Sequence, residues 1–600
     1  MQQEKKTTNW LGIAVFSAIA SMAAFGTGLA QADDSGGGST ATPINHIIVV
    51  VGENHTYDNV YGGYVPQHGE TVRNLLSEGI INSDGSPGPN FSTATQNIAT
   101  DTTVTPGTYS PTPPTGPGPA TLQTPDTTYA YGEPQNVPDP RWTGVTLPNG
   151  PFQLTKHGST PGADYFGSFT GDPVHRFFQM WQDYDGGKLD LFQWVGQTIG
   201  IGSNGITPPF DTHQGGVAMG FYNMSLGDAP IFKELADRYA TSDNYHQGIM
   251  GGTGANFIYL GTADVGYFTD SSGNPATAPS NQIENPDPVS GTNNWYTNDG
   301  YGFGSFAGSY VNCADSSQHG VAPILSYLNS LSYKPNANCD PGHYYILNNY
   351  SPAYKADGSS NGFPPPSASS TVYHLPPQVL PTIADSLQAH GISWKYYIGG
   401  ENGGNPTDAW CSICDPLQFT KSIMTTSLRN KIQDVSNFFS DLDAEKLPAV
   451  SFVRPYETYA GHPANATLSF YENFINELIG AVKSKNVWKH TAIFITTDEG
   501  GGYYDSGYIQ ILDFFGDGTR IPLVVVSPYA KRGFIDHTYY DHGSIAKLIE
   551  ANWSLPTLSG RSRDNLPNPV QASGSYAPTN APAIGDLMNL FDFSGDNEGD

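Results

Sequence analysis

Residues 44–63 read INHIIVVVGENHTYDNVYGG. The run Ile47, Ile48, Val49, Val50 and Val51 is apolar on both faces, as expected of a central strand in a sheet covered by helices, and such sheets place ligands at the carboxyl ends of their strands. Glu53 and Asn54 stand at that end. Two adjacent oxygen donors suit a divalent cation, although the same pair also occurs in ordinary polar turns.

A second strand repeats the pattern. Residues 492–497, AIFITT, end in Asp498 and Glu499, followed by Gly500, Gly501 and Gly502. If the two strands are parallel neighbours, Glu53, Asn54, Asp498 and Glu499 bring four hard oxygen ligands to one edge of the sheet, and the glycines let the backbone approach whatever binds there. A third piece is Thr253, which follows Gly251 and Gly252 and precedes an apolar run. At a helix start it is either an N-cap or, beside a bound cation, a nucleophile with a lowered hydroxyl pKa.

Strand and helix patterns alternate along the chain. Residues 230–239 predict a helix, 394–398 and 449–453 predict strands, and 467–483 place Phe470, Phe474, Leu478, Ile479 and Val482 on one helical face. An apolar strand follows at 523–526, then a helix capped by Ser544 and running to Trp553. The expectation is a layered α/β fold with a largely parallel sheet. It is interrupted by loop-rich stretches near 84–150, with SPTPPTGPGPATLQTP at its centre, and near 267–310 and 348–370. Because candidate site residues flank the first of these, they read as insertions in a single domain spanning 33–600.

Composition narrows the functional classes. With 26 basic and 55 acidic residues the net charge is −29, which argues against nucleic acid as a partner but allows small anionic substrates if a metal supplies local positive charge. Charged residues are only 14%, while 69 Gly, 47 Pro and 35 Tyr suit a loop-rich exported protein. Lys5 and Lys6, the apolar stretch 11–25 and the site Ala30-Gln31-Ala32 read as a signal peptide over 1–32, giving a secreted or periplasmic chain with no stable membrane span after cleavage. Four cysteines allow three disulfide pairings; sequence separation favours Cys313 with Cys339 and Cys411 with Cys414, and a four-cysteine zinc site is the rival.

Several stretches in order, INHIIVVVGENHTYDNVYGG, DPVHRFFQMW with DGGKLDLF, SDNYHQGIMGGTGAN, AVSFVRP, TAIFITTDEGGGYYD and GTRIPLVVVSPYAKRGFIDHTYYDHGSI, resemble the bacterial phosphoesterase family of secreted acid phosphatases and phospholipases C. The resemblance runs from about residue 44 to 556. It implies an alkaline-phosphatase-like layered sandwich and a phosphoryl-enzyme mechanism. One divalent metal would be held by Glu53, Asn54, Thr253, Asp498 and Glu499, with Thr253 as nucleophile. It also implies that His175 and His462 contact phosphate or move protons, and that Asn256 binds substrate. Two positions depart from the family pattern. Ile413-Cys414 replace a His-His pair, which a Cys411–Cys414 disulfide would reshape, and His55 replaces an Arg and reads as an exposed imidazole. Asp541-His542 read as a helix entry.

The leading expectation is thus a metal-dependent phosphoesterase working through phospho-Thr253, on phosphomonoesters first and phospholipid headgroups second. The metal's identity is open among calcium, magnesium, manganese and iron, as is the oligomeric state. From a different class, a non-catalytic envelope or glycan-binding protein would use the Tyr- and Gly-rich loops.

Overall fold

The computed structural model describes residues 38–100, 108–126, 138–155, 165, 170–198, 214–287, 310–362, 374–404, 406–407 and 410–594. The expected signal peptide and parts of all three insertions lie outside these residues.

Eight strands form the main sheet: β1 (His46–Gly52), β2 (Ala240–Ser242), β3 (Trp394–Ile398), β4 (Ile432–Asp434), β5 (Val450–Arg454), β6 (Thr491–Thr497), β7 (Leu523–Val526) and β8 (Ile535–Asp536). The main helices are α1 (Phe177–Tyr184), α2 (Pro230–Arg238), α3 (Thr253–Thr262), α4 (Ile383–Ala389), α5 (Ser436–Asp443), α6 (Leu468–Lys483) and α7 (Gly543–Trp553). The strand order is β4-β3-β5-β1-β6-β7-β2-β8. β1 is central, parallel to both β5 and β6, and all seven of its residues are buried. β7 runs antiparallel to β6 and to β2. The chain enters β7 from the loop that follows β6 at the same edge, so no helical crossover reverses it.

Register decides what the sheet offers. His46 pairs with Thr491 and Gly52 with Thr497, so Glu53-Asn54 and Asp498-Glu499 leave neighbouring strands side by side. One continuous apolar core runs from Ile44 to Phe591. α6 contributes Leu468, Tyr471, Phe474, Ile475, Leu478, Ile479 and Val482, while Phe470 is 37% exposed. Phe474, Leu478, Ile479 and Val482 face inward as expected, and Tyr471 takes the place expected of Phe470, its hydroxyl donating to Thr496 O of β6 at 2.7 Å. Ser544 stands inside α7, its Oγ accepting from Asp541 N at 3.2 Å.

Both disulfides follow the pairing favoured by separation, Cys313–Cys339 and Cys411–Cys414. Among the described residues no helix is long and apolar enough to cross a membrane.

Candidate active site

The parallel pair β1 and β6 delivers the two acidic turns to one place. Asn54 adopts a left-handed backbone, φ 59°, a conformation that Asn tolerates better than most residues. It turns the chain so that Asn54 N donates to Asp498 Oδ1 at 3.4 Å, an acceptor that Glu499 N also reaches at 2.8 Å. A Cβ at Gly501 would lie 2.6 Å from Asn54 Cβ. Side chains at Gly500 and Gly502 would strike Thr519 and the Val174 carbonyl. The three glycines therefore let protein pack on protein, rather than opening the backbone to a ligand as expected from sequence.

Thr253 is the first residue of α3, after Gly252, and makes no capping bond. Its Oγ1 donates instead to Glu499 Oε1 at 2.9 Å. Asn349 holds the helix entry by accepting from Gly254 N at 2.8 Å, and Asn348 accepts from Phe177 N of α1 at 3.0 Å. Asn256 is fully buried and committed to the loop: its Oδ1 accepts from Ile249 N at 3.0 Å and its Nδ2 donates to Gly251 O at 2.9 Å. Every side-chain polar atom of Asn256 thus bonds the glycine turn before Thr253.

Two histidines flank the carboxylates. His175 Nδ1 donates to Pro173 O at 2.7 Å, turning Nε2 toward Glu499 Oε1 at 3.6 Å; burial lowers its pKa, against the pull of Asp172. His462 Nδ1 donates to Pro463 O at 2.5 Å, and its Nε2 lies 3.1 Å from Asn54 Nδ2 and 3.6 Å from Glu53 Oε2. Burial opposes its charge, yet Asp172, Glu53 and Glu457 raise its pKa to about 9. A proton on Nε2 conflicts with the amide donor of Asn54. The contact itself suits a ring with no proton on Nε2.

Glu53, Asp498 and Glu499 are all lifted above the ordinary carboxylate range, burial being the main cause in each. Arg454, fully buried at the end of β5, pairs with Glu53 and with Glu457. Among the described residues, no Arg or Lys pairs with Asp498 or Glu499, and His175 lies 3.6 Å from Glu499 Oε1. Among the described residues, Asn54 Oδ1, Asp498 Oδ2 and Glu499 Oε2 are buried acceptors with no hydrogen-bond partner. Orphaned hard oxygens around excess negative charge are the environment a divalent cation satisfies. The donor set fits such an ion by chemistry and burial. The three carboxylates do not, however, draw three oxygens within 4.8 Å of one another.

Sequence reasoning missed Arg454, Asn348, Asn349 and Gln247, whose Oε1 accepts from Gly500 N at 2.8 Å. Arg454 had a positional signal, standing where β5 ends beside β1; the two asparagines lie in an insertion and had none. His55 is buried rather than exposed, bonded to Asn59 Oδ1 at 2.7 Å and Gly461 O at 2.9 Å, with burial pushing its pKa down to about 4. His542 braces the site from behind: its ring lies 2.7 Å from Asp498 O and 2.8 Å from Tyr245 Oη. Ile413 is buried, and Cys414 Sγ lies 3.0 Å from Glu53 Oε1.

A family model described as Phosphoesterase family matches residues 44–556. Phospholipase C B of Mycobacterium tuberculosis is 22% identical over 445 residues, covering 69% of this chain and 64% of the relative. The acid phosphatase of Aspergillus niger is 29% identical over 201 residues, covering 31% of this chain and 45% of the relative. The chain thus matches less than two thirds of the length of either relative. Among solved structures, a protein in the alkaline phosphatase superfamily from Vibrio parahaemolyticus aligns with 54% of this chain and 59% of its own at 10% identity, with a TM-score of 0.25.

Proposed function

The chain belongs to the phosphoesterase family, and on that premise we propose that it is an exported, metal-dependent phosphoesterase that hydrolyses phosphate esters through a phospho-Thr253 intermediate. The observation that carries this reading is the hydrogen bond from Thr253 Oγ1 to Glu499 Oε1, 2.9 Å, at the edge of a cluster of orphaned buried oxygens. A divalent cation held by Glu53, Asn54, Thr253, Asp498 and Glu499 would supply Lewis acidity, lowering the hydroxyl pKa and offsetting charge on the phosphoryl oxygens.

The chain's own groups divide the remaining work. Glu499 fixes the Thr253 hydroxyl and accepts its proton as the Oγ1–P bond forms and the ester P–O bond breaks. His175 and His462 stand on either side of the carboxylates, 13% and 15% exposed, in reach of a leaving oxygen and of the water that later cleaves the phosphothreonine. The Asn256 and Asn349 clamps hold the nucleophile's turn rigid, which keeps attack in line.

Phosphomonoesters are the first reading of the substrate. A phospholipid phosphodiester is the second, supported by the broader alignment with phospholipase C B, 69% of the chain against 31% for the fungal acid phosphatase, and by Ile413 and a disulfide where a second imidazole pair would stand. Thr253→Ala is expected to lose turnover by at least a thousandfold on a chromogenic phosphomonoester and on phosphatidylcholine, with unchanged circular dichroism. Acid-quenched wild type should carry one phosphate on the peptide containing Thr253. Full activity of Thr253→Ala, or no phosphopeptide under conditions of rapid turnover, would remove the nucleophile assignment.

A further inference from the structure

Apart from the oxygen cluster, Glu53 belongs to a second group of donors. Among the described residues, Glu53, Cys411 and Cys414 place one ligand atom each within 4.8 Å of one another, and all three residues are buried. The cysteines are joined as a disulfide, so neither sulfur carries a proton or a charge toward the carboxylate. Cys414 Sγ nevertheless rests 3.0 Å from Glu53 Oε1.

We propose that this disulfide gates a soft-metal site: once reduced, Cys411 and Cys414 bind Zn²⁺ or Co²⁺ together with Glu53 Oε1, so that the carboxylate is shared between this site and the oxygen centre. The spacing is C-x-x-C on a turn closed by Cys414 N donating to Cys411 O at 3.3 Å, with the Cα atoms 5.4 Å apart. That is the ligand spacing of many zinc sites, in which thiolates at a Zn–S distance of about 2.3 Å stand roughly 3.8 Å apart. Opening the S–S bond therefore needs side-chain rotation and no rearrangement of the turn. Two thiolates and one carboxylate leave Zn²⁺ with one excess negative charge, and the buried guanidinium of Arg454, already paired with Glu53, balances it. The fourth zinc position stays open.

The redox step balances with a phosphine as reductant. Phosphorus attacks one sulfur, the S–S bond breaks, and water supplies the oxygen of the phosphine oxide and the two protons of the thiols. Zn²⁺ then displaces those two protons. Cys411 is 9% exposed and Cys414 fully buried, which makes the Cys411 sulfur the point of attack.

The test uses the full chain. Protein reduced with a phosphine, freed of it by gel filtration and titrated with Co²⁺ should develop a thiolate-to-cobalt charge-transfer band in the near ultraviolet and retain one more Zn²⁺ per chain than oxidised protein. Cys313→Ser/Cys339→Ser should keep both signals, and Cys411→Ser/Cys414→Ser should lose both. If the first double variant does not fold, mass-spectrometric mapping of thiols protected from alkylation by bound Zn²⁺ in wild type assigns the ligands. Equal zinc retention in reduced and oxidised protein, or protection confined to Cys313 and Cys339, overturns the proposal. These readouts need no turnover. A second arm rests on the phosphoesterase reading: reduction with Zn²⁺ should lower hydrolysis at least tenfold, reversibly on reoxidation. A thiolate band without hydrolysis in any state would sink that reading while leaving the soft-metal site standing.

Discussion

At Asn256 the chemistry is one of placement. Its side chain spans Ile249, Gly251 and Gly252 from the first turn of α3 and so fixes the turn that carries Thr253. Asn256→Ala should cost about 1–3 kcal/mol of stability from unmade buried hydrogen bonds and lower kcat tenfold or more with KM nearly unchanged, measured by steady-state kinetics and urea melts. A rise in KM alone would mark Asn256 as a substrate ligand. Arg454 poses the complementary case. Its guanidinium, itself unexposed, joins the buried Glu53 to the part-exposed Glu457, and removing it leaves the Glu53 carboxylate buried without its cation. Arg454→Met should therefore lose about 3–5 kcal/mol, as broken buried pairs do, and an unchanged urea midpoint would contradict that. Neither role could be read from residue type. An Asn after a Thr looks like a ligand, and an Arg ending a strand looks like surface charge, until the fold supplies the neighbours.

The elements were more legible than their faces. β1 announced itself as a strand apolar on both faces and β6 as a strand, each ending in a pair of oxygen donors, and their parallel register places Gly52 opposite Thr497; the meeting of Glu53-Asn54 with Asp498-Glu499 follows from that register. β7 did not reveal its direction, because an apolar tetrapeptide is the same read either way and only the loop's return edge fixes it. α6 shows the same limit. Its period predicts a helix, but whether Phe470 or Tyr471 faces inward turns on a hydrogen bond to a distant strand, Tyr471 Oη to Thr496 O. Phe470→Ser is accordingly expected to change stability by no more than about 0.5 kcal/mol, whereas Ile475→Ala, which empties a fully packed position, should cost about 2–5 kcal/mol. Thermal melts of the two variants compare them directly, and a large loss in Phe470→Ser would put Phe470 back where periodicity placed it.

Over the whole molecule, the acidity evident in the composition continues into the interior. Burial lifts Glu472 and Asp415 to about 7 each, while Asp58, also raised chiefly by burial, reaches about 7 even with Arg520 beside it. A carboxyl whose folded pKa exceeds its unfolded value holds its proton more tightly when folded. Its contribution is fully present below the unfolded pKa, near 4.5 for Glu, and is lost as pH rises through the folded pKa near 7. The chain should therefore become less stable between about pH 4.5 and 7, measured with a chelator so that cation binding, which favours ionised carboxylates, does not oppose the trend. Glu472 isolates the effect: it is 2% exposed, and its Oε1 accepts from Ile231 N at 2.9 Å and Phe232 N at 2.8 Å, bonds an amide oxygen can keep. Glu472→Gln should match wild type at pH 4.5 and exceed it at pH 8 by an amount on the order of 3 kcal/mol. A variant whose stability tracks the wild type across that range would show that Glu472 is ionised in the fold, and that the backbone donors of α2 outweigh its burial.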